Sequence, residues 1–142
     1  MRIILATLWL LVPLGFAAYH YGPGQEQVKL DHTEVFLAQA RSAVQEKNWN
    51  SAIESYQKAL AKLPKENKET SMRIQLEIAK AKMQNSGLPE AREDLANLVS
   101  QLNEDTTISS ELKEETLSTL ANARYYMTVS YTHLTLPTTG VV

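Results

Sequence analysis

The chain has 142 residues, 44% apolar and 21% charged, which suits one modest globular domain and argues against disorder. Its 14 basic and 16 acidic side chains give a net charge of −2, so no global field draws it to nucleic acid. It has no cysteine and only three scattered histidines, His20, His32 and His133, which removes disulfides, thiolate nucleophiles and sulfur-built zinc sites.

Met1-Arg2 is a short positive start, and Ile3 to Ala18 (IILATLWLLVPLGFAA) runs without a charge. Residues 1–24 therefore read as a signal peptide or a membrane anchor helix. Gly15-Phe16-Ala17 supplies the small residues for a cut after Ala17. In the anchor reading, the uncharged stretch continues to Gln25, with Tyr19 and Tyr21 at the interface. Arg2 holds the N-terminal end inside, so the chain beyond Gly24 faces out of the cytoplasm, into a periplasm-like space, or is secreted if the segment is cleaved. Gly22-Pro23-Gly24 ends this helix, and 25–30 reads as a linker.

Between 31 and 127 the apolar residues recur at helical spacing in five stretches, about 31–47, 50–63, 70–86, 89–103 and 109–127. Each break has a physical cause. Asn48-Trp49-Asn50 separates the first two, with Asn50 placed to cap the second. Pro64 closes the second helix, Gly87 suits a left-handed cap on the third, and Pro89 opens the fourth in its first turn. Ser109 or Ser110 starts the fifth, with Glu111, Glu114 and Glu115 near its positive end. The expected class is all-α, with sequential helices as antiparallel neighbours.

Trp49 to Pro64, WNSAIESYQKALAKLP, resembles the second half of a tetratricopeptide repeat. Trp49, Ala52, Tyr56, Ala59 and Pro64 stand at the family's aromatic, small, aromatic, small and proline positions. Phe36 stands for the family's first tryptophan and Ala40 for its glycine, while Gln39 and Ala43 depart from its leucine and tyrosine. A degenerate copy comes next, with Ala79 in its first helix and Leu88, Ala91, Leu95 and Leu98 in its second. Ala91 lies 39 residues after Ala52, against a family period of about 34, and the polar run Lys65–Thr70 takes up the excess. A half repeat, Leu112 to Met127, ends in LANARYYM, where Leu120 and Ala121 match the family's leucine and small residue. The resemblance implies a right-handed helix-pair solenoid with repeats at 31–64, 70–103 and 109–127; a plain antiparallel bundle is the alternative for the same alanines and aromatics.

In that family the first helix of each repeat lines a concave groove, at positions that here fall on Glu34, Leu37, Arg41, Val44 and Gln45, then on Arg73, Leu76, Lys80, Met83 and Gln84. The resemblance implies partner binding through Arg41, Gln45, Arg73, Lys80 and Gln84. With Glu34 as the one acid among these positions, the groove is expected to be mildly basic and to suit an acidic extended segment or a chain-terminal carboxylate. Ordinary solvated helix-face charges are the alternative.

Val129 to Thr138, VSYTHLTLPT, resembles the in-frame translation of a transposase sequencing adaptor. An eight-base index completes the codons of Thr139 to Val141, and the adaptor then supplies Val142 and a stop. The resemblance implies that 128–142 is a non-native, unstructured tail and that the natural chain continues past Thr128.

No HExxH, GxSxG, glycine-rich phosphate loop or paired metal-ligand spacing occurs, so neither catalysis nor a cofactor is expected of this chain. The expected function is a membrane-anchored or exported repeat scaffold that binds another protein or an extended peptide segment. The alternative is the N-terminal appendage of a larger enzyme or sensor.

Overall fold

From Gly24 to Leu134 five α-helices succeed one another, and there is no strand among the described residues. The computed structural model describes Val12, Pro13 and residues 24–134, with side-chain surroundings given for Val12, Pro13 and 32–130. The helices are α1 (Gly24–Gln45), α2 (Trp49–Lys62), α3 (Lys68–Gln84), α4 (Leu88–Glu104) and α5 (Ser110–Leu134). Each packs on the next through a short connection, and α3 also touches α5. Apart from Val12, Pro13 and Gly24, the candidate signal or anchor segment lies outside the described residues. Among those described, no helix is long and apolar enough to cross a membrane.

Two boundaries differ from expectation. The expected linker at 25–30 forms the first turns of α1, because no breaker comes after Gly24 until the helix ends at Gln45. The expected unstructured tail is helical as far as Leu134, since neither glycine nor proline interrupts the run from Ser110. Residues 135–142 lie outside the described residues.

The helix ends explain the turns. Asn48, rather than Asn50, caps α2, its side-chain oxygen accepting the Ser51 N–H at 3.3 Å. Asn50 lies inside α2 and accepts a 2.6 Å hydrogen bond from the Asn85 amide at the end of α3. Both α1 and α3 close with a left-handed residue, Lys47 at φ 56° and Ser86 at φ 63°. The Asn48 N–H then reaches back to the Ala43 carbonyl at 2.8 Å, and the Gly87 N–H to that of Lys82 at 2.9 Å. Gly87, expected as the left-handed residue, has φ −90° and caps α4 instead. It stands one position further along, where a Cβ would lie 3.2 Å from the Lys82 carbonyl oxygen.

Two cores share one helix. Ala40 and Ala43 of α1, with Ala52, Tyr56 and Ala59 of α2, pack on Ile74 and Ile78 of α3. Phe36 flanks this cluster. Leu76 and Ala79, on another face of α3, pack with Leu95, Leu98 and Leu102 of α4 and with Leu112, Leu120 and Ala123 of α5. Ala52, Ala59 and Ala91 are fully buried, so nothing but a methyl group separates neighbouring backbones there. Trp49 is half-buried at the start of α2, and Pro64 comes directly after the extended Leu63 that closes that helix. Thr116, fully buried on α5, satisfies its hydroxyl on the Leu112 carbonyl at 2.7 Å.

Candidate functional site

Arg41 recurs one turn after Leu37 and one turn before Val44, so the three share a face of α1. That face looks across a groove of 540 Å³ at Arg73 and Glu77 of α3, with Ile74 and Leu76 among its apolar lining. Gln45 and Thr70 stand along its edge, Tyr56 of α2 contributes to it and Glu115 of α5 completes it. The structure therefore brings together Leu37, Arg41, Val44, Gln45, Arg73 and Leu76 of the expected positions. It leaves Met83 packed on the second core and Gln84 exposed at the end of α3, outside the groove lining.

The expected basic character does not hold. Lys80 is closed between two carboxylates, its ammonium donating to Glu77 at 2.8 Å and to Glu115 at 2.6 Å. Partial burial works against the charged lysine, but these two hydrogen bonds outweigh it and hold its pKa above the ordinary value. Arg73 pairs with Glu69 at 3.1 Å, and Glu69 also accepts from Ser109 at 2.9 Å. The Ser109 hydroxyl and the Arg73 guanidinium together keep the Glu69 carboxyl below its usual range. Among the described residues, Arg41 makes no ion pair.

Tyr56 lies under this cluster, 4% exposed. Burial pushes its hydroxyl pKa up, Glu77 adds to the rise, and Arg41 and Lys80 oppose it. Glu77 and Glu115 are the groove-lining acids that sequence reasoning misses, and Glu69, outside the lining, acts on the groove only through Arg73. The signal for Glu77 is its i,i+3 spacing to Lys80. Glu115 gives no comparable signal, because it comes from 35 residues away in the chain.

A larger cavity, 720 Å³, opens between the end of α2, the start of α3 and the end of α4. It holds none of the expected binding residues, and its Lys68 and Asp105 satisfy each other at 3.3 Å. No group of three or more acidic or histidine side chains is placed to hold a metal among the described residues. No known protein family matches the chain, and neither does any curated protein or solved structure.

Proposed function

We propose that the chain is a tetratricopeptide-like scaffold, tethered to a membrane or exported through its N-terminal segment, that binds another protein in the groove between α1 and α3. The observation that carries this reading is the convergence of Leu37, Arg41 and Val44 with Arg73 and Leu76 on one open groove. Each helix pair, α1 with α2 and α3 with α4, packs on the first helix of the next unit, and this supports the repeat reading, as do the buried alanines Ala52, Ala59 and Ala91. The apolar run Ile3–Ala18 behind a single arginine supports the export or anchoring. The reading includes a continuation of the natural chain past Thr128. Leu117 at 50% and Tyr125 at 66% exposure support it, since both lie with the exposed Ala121 on the outer face of α5.

The absence of cysteine makes a clean test available. A photocrosslinker is placed on Gln45→Cys, at the groove, or on Glu93→Cys, on the exposed side of α4. Expression in cells with fractionation then reports both partner and compartment. The expected result is a discrete protein adduct at position 45 only, in the membrane or exported fraction. Equal labelling at both positions, or a purely cytosolic chain, overturns the reading.

A further inference from the structure

We infer that the groove selects an extended segment carrying one carboxylate beside an apolar side chain, and rejects polyacidic segments. This rests on the reading of the groove as the partner surface and adds the chemistry of the segment it takes. Of the three cations expected to make the groove basic, only Arg41 is unengaged among the described residues. A single incoming carboxylate finds a guanidinium fork there, with a charge-assisted hydrogen bond to gain. Leu37 and Val44 stand one turn to either side of Arg41 on the same face and are both partly buried. A side chain adjacent to that carboxylate therefore meets aliphatic surface rather than water.

The remaining charge of the groove works against a second carboxylate. Glu77 and Glu115 both belong to the lining, and Lys80 is already divided between them. A run of acids entering the groove meets those carboxylates with no free ammonium to offset them, and like charges at close range are a discriminating cost. The Lys80–Glu115 pair thus makes an otherwise attractive basic surface selective. Releasing it converts one specificity into the other.

The full chain in detergent is titrated against three peptides of one length, acetylated and amidated, carrying a neutral dye. One holds a single glutamate between two leucines in a serine–glycine background, the second has glutamine in place of that glutamate, and the third has four glutamates and no leucine. Binding is read by fluorescence anisotropy. The single-glutamate peptide is expected to bind about fivefold more tightly than its glutamine version, the scale of one partly exposed charge pair. Arg41→Gln removes that difference, and Glu115→Gln raises the affinity of the four-glutamate peptide by a similar factor. Equal binding of the glutamate and glutamine peptides overturns the proposal. So does tighter binding of the four-glutamate peptide by the unaltered chain, or no binding of any of the three. If all three peptides fail while the crosslinker at position 45 still gives a discrete adduct, the specificity is wrong and the scaffold reading stands. If the adduct is missing too, both fall.

Discussion

Lys80 on α3 and Glu115 on α5 meet at 2.6 Å across 35 residues of chain, and so tie the third helix to the fifth past the α4 helix between them. Both side chains are partly exposed, at 33% and 42%, so solvent screens the pair. Glu115→Gln is expected to cost at most about 1 kcal/mol of stability near neutral pH. The loss appears in denaturant unfolding, and amide exchange in the first turns of α5 quickens with it. Because the folded-state pKa of Lys80 is raised, this contribution is complete below the lysine's ordinary value and fades as pH climbs through the raised one. An unchanged exchange pattern in the variant would show that the pair does not hold α5.

The left-handed residues that close α1 and α3 carry side chains where glycine is at ease. Ser86→Gly and Lys47→Gly are each expected to stabilise the fold by about 0.5–1 kcal/mol, the left-handed penalty less the extra freedom glycine has when unfolded. Gly87→Ala has the opposite sign, since its methyl group meets the Lys82 carbonyl oxygen. Thermal melts of the three variants side by side check the order.

Fully buried alanines set the spacing of the helices. Ala59→Leu adds volume where α2 meets its neighbours, and a cost of about 1–3 kcal/mol is expected from overpacking. Leu95→Ala empties part of the second core and is expected to cost about 2–5 kcal/mol. Chemical denaturation measures both.

Acid is expected to loosen the connection between α4 and α5. The hydroxyl and backbone N–H of Thr107, then the Lys68 ammonium, hold the Asp105 carboxyl down to about 2. A carboxylate whose pKa is depressed on folding stabilises the protein above its unfolded pKa, and that stabilisation is lost as pH falls toward the folded value. Stability therefore declines between about pH 4 and pH 2, and Asp105→Asn flattens that part of the profile. A fluorescence or circular dichroism titration of both chains reads the difference.

The five helices and the alanine faces between them are legible in the sequence because local periodicity marks the helices and a breaker or capping residue stands at each break: Asn48, Pro64, Gly87 with Pro89, and Ser109 or Ser110. Asn48 displaces Asn50 as the cap, and Ser86 displaces Gly87 as the left-handed residue. These are shifts of one or two positions that a spacing argument does not resolve, since the cap is fixed by which carbonyl the chain turns back to reach. The first turns of α1 and the last of α5 exceed the expected limits because composition and resemblance, rather than a helix breaker, set those limits. At the groove, Leu37, Arg41 and Arg73 come from the family resemblance, and all three stand in its lining. The charge balance of the groove is not legible, because Glu115 enters from α5 and no pattern local to α3 announces it.

Ile74 and Leu76 stand two positions apart on α3 and belong to different cores. No cut through the chain beside this helix leaves two self-sufficient pieces, because whichever fragment loses α3 also loses a wall of its interior. Losing α3 therefore breaches both cores at once, and neither α1 with α2 nor α4 with α5 keeps a complete interior without it. A residue spacing of two on one seventeen-residue helix decides that the protein behaves as one cooperative unit rather than as a string of separable hairpins.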